Sequence, residues 1–119
     1  MTHDDVQAWL DRYIEAWRSD DQNLIASLFG DDALYRYDPF REPLVGGPAI
    51  AADWLQNPDA PGSWEAEYRP YAVEGDRAVA IGETRYTNGQ RFANVFVLEF
   101  APDGRCSSFT EVFFLERAR

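Results

Sequence analysis

Tyr35-Arg-Tyr-Asp-Pro-Phe-Arg-Glu-Pro-Leu-Val-Gly-Gly-Pro-Ala-Ile-Ala-Ala-Asp-Trp54 is the stretch on which the rest of this chain turns. Its two tyrosines alternate with Arg36, and aromatic rings suit a pleated, half-buried strand. The strand breaks at Asp38-Pro39, because proline has no N–H for a ladder and keeps its predecessor out of helical geometry. A loop rich in proline and glycine follows, and a helix is expected from Gly47-Pro48, where proline suits the first helical position. Asp38 is thus a carboxylate at a strand end, between an aromatic run and Phe40. Desolvation there would raise its pKa towards that of a useful general base. The simpler reading makes Asp38 a turn former, as Asp before Pro often is. Residue chemistry favours the turn and leaves both readings open.

Towards the N-terminus, apolar residues fall at Val6, Trp9, Leu10, Tyr13, Ile14 and Trp17. That spacing predicts an amphipathic helix from Asp4 to about Ser19, with Asp4 or Asp5 capping it or favouring its positive end. Asp20-Asp21 open a shorter helix with Leu24, Ile25 and Leu28 inward, and Gly30 is expected to end it. The third helix carries Ile50, Ala51, Trp54 and Leu55 and closes at Asn57-Pro58. Beyond Ser63 the period drops to two: Trp64, Ala66 and Tyr68 alternate with Glu65, Glu67 and Arg69. Turns at Glu74-Gly75-Asp76, Asn88-Gly89 and Pro102-Asp103-Gly104 separate four long strands. Helices first and hairpin-linked strands after predict an α+β fold, with three N-terminal helices packed in an antiparallel sheet.

A chain of 119 residues predicts one domain spanning 1–119. Hydrophobic residues make up 45%, enough for a core, and the 15% that are aromatic leave shaped gaps as readily as they fill them. The net charge of −10 argues against nucleic acid and against an anionic membrane surface as partners. No apolar run approaches the ~20 residues that span a bilayer, and the acidic N-terminus shows no signal peptide. One cysteine, Cys106, forbids an internal disulfide framework and fits a reducing, cytoplasmic compartment. With His3 the only histidine, a zinc site built on histidine or cysteine is excluded, and no metal ligands are assigned.

Two polar residues interrupt apolar strand faces. Asn94 stands among Phe92, Phe96, Leu98 and Phe100, and Glu111 among Phe109, Phe113 and Leu115. A buried amide or carboxylate is costly unless paired, so each needs a partner or a solvent-filled pocket. The two could also bond each other across the ladder as a structural pair. Alternatively the opposite faces, Val95/Val97 and Val112/Phe114, are the covered ones, in a dimer interface. Glu83 and Arg85 read as a solvated or interfacial ion pair. Tyr13 lies on the buried stripe of the first helix, as core or with its hydroxyl aimed into a cavity.

Several short segments together resemble the nuclear transport factor 2-like superfamily, especially its SnoaL-like and ketosteroid-isomerase-like branch. They are Arg12-Tyr13-Ile14-Glu15, Leu28-Phe29-Gly30-Asp31-Asp32-Ala33, Asp38-Pro39-Phe40 with Gly47 and Ile50, Asn88-Gly89-Gln90, and Asp103-Gly104-Arg105. The resemblance covers nearly the whole chain. It implies a cone-shaped α+β barrel, a strongly curved sheet wrapped around the first helix with an apolar pocket inside, usually in a homodimer. It implies Asp38 as general base and Tyr13 as oxyanion-binding hydroxyl, the arrangement of ketosteroid isomerases. The second oxyanion donor of that arrangement falls at Phe96 and a supporting tyrosine at Leu55, so half of the oxyanion hole is missing.

Three functions are weighed. The first is a cofactor-free isomerase, cyclase, lyase or hydrolase acting on a small apolar or aromatic carbonyl compound. Asp38 is its base and Tyr13 its oxyanion donor, while Glu111 and Asn94 orient substrate or water. Trp17, Tyr35, Phe40, Trp54, Trp64, Phe96, Phe109 and Phe113 would line its pocket. The second is a non-catalytic binder of an apolar ligand, with Asp38 as a turn residue. The third is a protein-interaction module, a homodimer through the sheet.

Overall fold

The computed structural model describes residues 1–116. Helix α1, His3–Ser19, buries Val6, Trp9, Leu10, Tyr13 and Ala16, the stripe that its period requires. Thr2, rather than Asp4 or Asp5, is its N-cap. The Thr2 hydroxyl accepts from the Asp5 N–H, and the Asp5 carboxylate accepts from the Thr2 N–H at 2.9 Å. This reciprocal box satisfies two otherwise orphaned donors and leaves Asp4 and Asp5 in the first turn, at the positive end of the helix. Helix α2, Gln22–Ser27, is capped by Asp21, whose Oδ1 accepts from the N–H groups of Asn23 and Leu24. It stops at Leu28, short of the expected Gly30. The Leu28 carbonyl accepts from the Cys106 N–H at 2.9 Å and Phe29 pairs with Cys106, so sheet pairing draws Gly30 into strand β1, Phe29–Arg36.

Strand β2, Leu44–Val45, is a two-residue piece inside the expected loop, paired with Leu34 and Tyr35 of β1. Helix α3, Gly47–Trp54, has Pro48 in its first turn as expected, and ends with Leu55 as C-cap, ahead of Asn57-Pro58. Gly47 is required by proximity: a Cβ there would stand 2.6 Å from the Ala26 carbonyl oxygen. Its missing side chain lets α3 dock on α2.

Strands β3 (Trp64–Glu74), β4 (Arg77–Tyr86), β5 (Arg91–Phe100) and β6 (Cys106–Leu115) follow the four period-two segments. The sheet order is β2-β1-β6-β5-β4-β3. Consecutive strands from β3 to β6 pair antiparallel through tight turns. The pair β1 with β6 is parallel, a departure from an all-antiparallel sheet. Its cause is topological: the chain leaves β1 through α3 and returns only after three strands, so the last strand comes home running the same way. The sheet is curved but unclosed, an α+β cone, with β2 and β3 as its two edges.

One face of the sheet turns towards α1. Ala66, Tyr68, Ala80, Thr84, Asn94, Phe96, Leu98 and Phe109 are all buried there. Trp9 sits at the centre of the core, its ring 5.6 Å from those of Tyr13 and Phe100 and 5.9 Å from Phe29. Its indole N–H donates to the Leu28 carbonyl at 3.1 Å, so the burial leaves no polar cost. The other face exposes Val97 (47%), Val112 (45%) and Phe114 (58%).

Candidate functional site

Between the end of α1, α3 with the segment after it, and the concave sheet lies a cavity of about 450 Å³. That is within the usual range for a small-molecule site, roughly 300–1,000 Å³. Its floor is made by Tyr13, Tyr35 and Tyr68, all buried, and its rim includes the exposed Asp20, Gln56, Asn57 and Phe113. The floor follows from local structure. Tyr13 is on the inward stripe of α1, Tyr35 on the inward side of β1, and Tyr68 on the inward side of β3. Phe109 supports two of these rings from behind, stacked on Tyr35 at 4.5 Å and on Tyr13 at 5.6 Å.

Glu111 is the acid at the heart of the cavity. Facing pairs in β5 and β6 are Phe96 with Glu111 and Asn94 with Phe113, so Asn94 and Glu111 are diagonal neighbours on the concave face. The Asn94 amide N–H donates to Glu111 Oε2 at 2.6 Å. Thr84 of β4 donates its hydroxyl to Asn94 Oδ1 at 2.9 Å. The Thr84 proton is thereby used, so at the 2.6 Å contact between Tyr68 and Thr84 the Tyr68 hydroxyl is the donor. Every donor of this chain points towards Glu111. Burial raises the Glu111 pKa above the ordinary 4.5, and the Asn94 hydrogen bond pulls it back.

The tyrosines answer to the same charge. Burial raises Tyr13 and Tyr35 well above the ordinary phenol value, and Glu111 adds to both shifts. Tyr37 and Tyr68 are also raised, burial first, with Glu111 among the further causes. Tyr86 is raised to about 12 by burial, then by Asp59, with Glu111 again contributing. Five of the six tyrosines therefore line the same cavity as this carboxylate and remain protonated donors at neutral pH. Two other acids on the wall are held by neutral groups. The Tyr37 hydroxyl donates to Asp53 Oδ2 at 2.5 Å, and the Trp17 indole N–H donates to Asp59 Oδ2 at 3.1 Å.

Of the expected site residues, Tyr13, Trp17, Tyr35, Trp54, Asn94, Glu111 and Phe113 come together on this cavity. Asp38 does not line it. Its Oδ1 accepts from the Phe40 N–H at 2.9 Å and its Oδ2 pairs with Arg41 Nε at 2.9 Å, the arrangement of a turn-forming aspartate. Phe40 is 98% exposed on that turn, because Pro39 directs the loop outward. Phe96 and Phe109 lie behind the lining as core rings 4.8 Å apart. Trp64 is one layer back, stacked at 3.5 Å on Trp17, which does line the cavity. Phe96, where a second oxyanion donor would fall, is buried against Tyr13 and Tyr68 and offers no polar atom.

Sequence reasoning passed over Tyr37, Asp53, Asp59, Tyr68, Thr84, Tyr86 and Phe92, which also line the cavity. Strand alternation carried the signal for Tyr68 and Thr84, since both share a face with buried alanines. Nothing local marked Asp53 or Asp59, which reach the wall only through the docking of α3 and the segment after it. Among the described residues no group of three or more His, Cys, Asp or Glu side chains could hold a metal ion, and no helix is long and apolar enough to cross a membrane.

Three helices on a curved, open sheet with an aromatic hollow and one polar chain define a cone-shaped α+β pocket fold. The chain belongs to the SnoaL-like domain family, whose model matches residues 10–116. Two solved structures share the fold. An NTF-2-like protein of unknown function from Burkholderia xenovorans aligns with a TM-score of 0.76 and 22% identity, over 98% of this chain and 88% of that one. A candidate ketosteroid isomerase from Kribbella flavida aligns with a TM-score of 0.71 and 20% identity, over 98% and 82%. No curated protein matches the sequence significantly.

Proposed function

We propose that this chain is a cofactor-free enzyme that moves a proton on a small apolar or aromatic carbonyl compound, with Glu111 as its acid and base. The observation that carries this reading is Glu111 itself: an acid of raised pKa, held by Asn94 in a cavity with five tyrosines on its wall. In the proposed step the Glu111 carboxylate takes a proton from the carbon next to the carbonyl. The C–H electron pair moves towards oxygen, and the resulting enolate is held by the Tyr13 hydroxyl, which burial keeps protonated. Returning the proton to another carbon gives an isomerisation; delivering it to a leaving group gives an elimination. Either balances without an outside oxidant or co-reactant.

The base role moves from Asp38 to Glu111 in this reading because the Asp38 carboxylate is occupied by Phe40 and Arg41 away from the cavity. Exchange of α-protons for deuterium, followed by NMR over a panel of small aryl ketones, tests the assignment. Glu111→Gln is expected to slow exchange by about 10²–10⁴-fold, while Asp38→Asn stays near wild type. The reverse order would return the role to Asp38.

A second reading, a non-catalytic binder, is favoured by one feature: Glu111 is already engaged by Asn94. Ketones that bind without exchanging protons would support it. We also propose a homodimer through the outer sheet face, where Val97 and Val112 are about half exposed. The cytoplasm is the proposed compartment, on the ground of a single thiol, Cys106, which is buried.

A further inference from the structure

The charge of the cavity wall is unusual for a site that takes a neutral, greasy molecule. Four carboxylates line it, Asp20, Asp53, Asp59 and Glu111, and no Arg, Lys or His among the described residues does. None of the ion pairs among the described residues involves any of the four. Five arginines among the described residues pair with other acids instead: Arg41 with Asp38, Arg77 with Glu74, Arg85 and Arg91 with Glu83, and Arg105 with Asp103. Within the cavity the acids meet only neutral donors, Tyr37 on Asp53, Trp17 and Tyr86 on Asp59, and Asn94 on Glu111. Neutral donors satisfy hydrogen bonds but leave the negative charge uncompensated.

A second, independent feature has the same sign. Nine aromatic side chains line the cavity, and the face of each ring is an electron-rich surface that attracts cations. Two of them, Trp17 and Tyr86, reach Asp59, and Phe92 and Phe113 follow on from Tyr86. Its Oδ2 takes the Trp17 indole N–H at 3.1 Å and lies 3.5 Å from the Tyr86 hydroxyl. Tyr86 meets Phe92 edge to face at 5.8 Å, and Phe92 meets Phe113 at 5.9 Å. Trp17 and Tyr86 reach Asp59 edge-on, through their N–H and O–H groups, so an alkylammonium group there meets the carboxylate charge while the aromatic lining takes its apolar body. A metal ion is not the cation, since no described group of three or more ligating side chains exists to hold one. An anion would face the four carboxylates with no positive partner.

We infer that the molecule taken up by this cavity is an aromatic or alicyclic carbonyl compound that also carries an amine, protonated at nitrogen, whose ammonium group pairs with Asp59 beside Trp17 and Tyr86 while its apolar body lies among the tyrosines. This rests on the cavity being a ligand site and names the chemical class that the site accepts. It adds a second fixed point to the proposed reaction: Asp59 anchors the charged end, and Glu111 acts at the other.

The test uses three molecules of nearly one shape, naphthylmethylammonium, naphthylmethanol and naphthoate, titrated calorimetrically into the whole chain near neutral pH. The ammonium compound is expected to bind about tenfold more tightly than the alcohol, and naphthoate more weakly than either. In Asp59→Asn the amide oxygen can still accept from Trp17, so the wall is kept and only the charge is lost. There the ammonium compound should fall to the affinity of the alcohol, with the alcohol itself unchanged. Asp32→Asn, at an exposed position on β1 outside the cavity, controls for the general negative field of the chain and should leave the preference intact. Equal or tighter binding of the alcohol to the wild type overturns the inference and leaves the pocket standing. A preference lost equally in Asp32→Asn overturns it as well, because attraction would then be long-range. Binding of none of the three would remove the pocket reading and this inference with it.

Discussion

Two opposed influences act on the Glu111 carboxyl, and its pH dependence follows from them. Burial disfavours its charged form and raises its pKa from 4.5, while the Asn94 hydrogen bond works the other way. Because the folded-state pKa is the higher one, the native chain holds this proton more tightly than the unfolded chain does. Below the ordinary value both states are protonated and that stabilisation is fully present. As pH rises from about 4.5 through the raised folded value, the unfolded state ionises first and the stabilisation is lost. Glu111→Gln removes the titration and keeps an acceptor for Asn94. Denaturant melts at a series of pH values should therefore show wild type losing stability relative to the variant as pH climbs from 4.5 towards neutrality. A gap that stays constant with pH would show that burial does not control this carboxylate. The Asp38 carboxylate meets quite different surroundings. It sits on a turn with a backbone N–H and an arginine, in a place where a carboxylate does structural work.

At the level of the element, the bend between β3 and β4 decides where the polar chain runs. Gly82 of β4 faces Tyr68 of β3 and Asn94 of β5. A Cβ on Gly82 would meet the Glu67 carbonyl oxygen at 1.9 Å and Tyr68 Cδ1 at 2.7 Å. Backbone cannot yield as a flexible side chain does, so only glycine allows this approach. Gly82→Ala should destabilise the fold by about 3 kcal/mol or more, by forcing β3 and β4 apart. It should also displace the Tyr68 hydroxyl from Thr84. Chemical denaturation reads the first effect and the Tyr68 ring resonances read the second. A variant within 1 kcal/mol of wild type would mean that the strands part at little cost. The same register explains why Asn94 and Glu111 both bond each other and line the cavity: diagonal neighbours on a concave face can do both.

For the whole molecule, the outer sheet face is the counterpart of the cavity. Val97 and Val112 are exposed there beside Phe114, flanked by the ion pairs of Glu83 with Arg85 and Arg91. If this face joins two copies, Val112→Glu puts an unpaired charge into the contact and should convert a dimer to a monomer in sedimentation, with the circular dichroism of the fold unchanged. A wild type that sediments as a monomer at high concentration, or a Val112→Glu dimer, would rule the contact out. The curvature that exposes this outer face is also what opens the hollow within.

Elements and faces were legible along the chain because they depend on local order. The α1 stripe, the four period-two strands, the Asn88-Gly89 turn and the two polar interruptions at Asn94 and Glu111 all come from spacing a few residues long. Sheet pairing decided what spacing could not: Gly30 belongs to a strand, and β1 runs parallel to β6. The cavity is less local still. Asp53 and Asp59 join Glu111 only because α3 and the segment behind it dock over the open cone, and Asp38, close in sequence to Tyr35 and Tyr37, is left outside by a turn. Side-chain periodicity is written in the sequence, whereas the convergence of distant carboxylates on one hollow depends on how the layers pack, which places Glu111 on the cavity and leaves Asp38 off it.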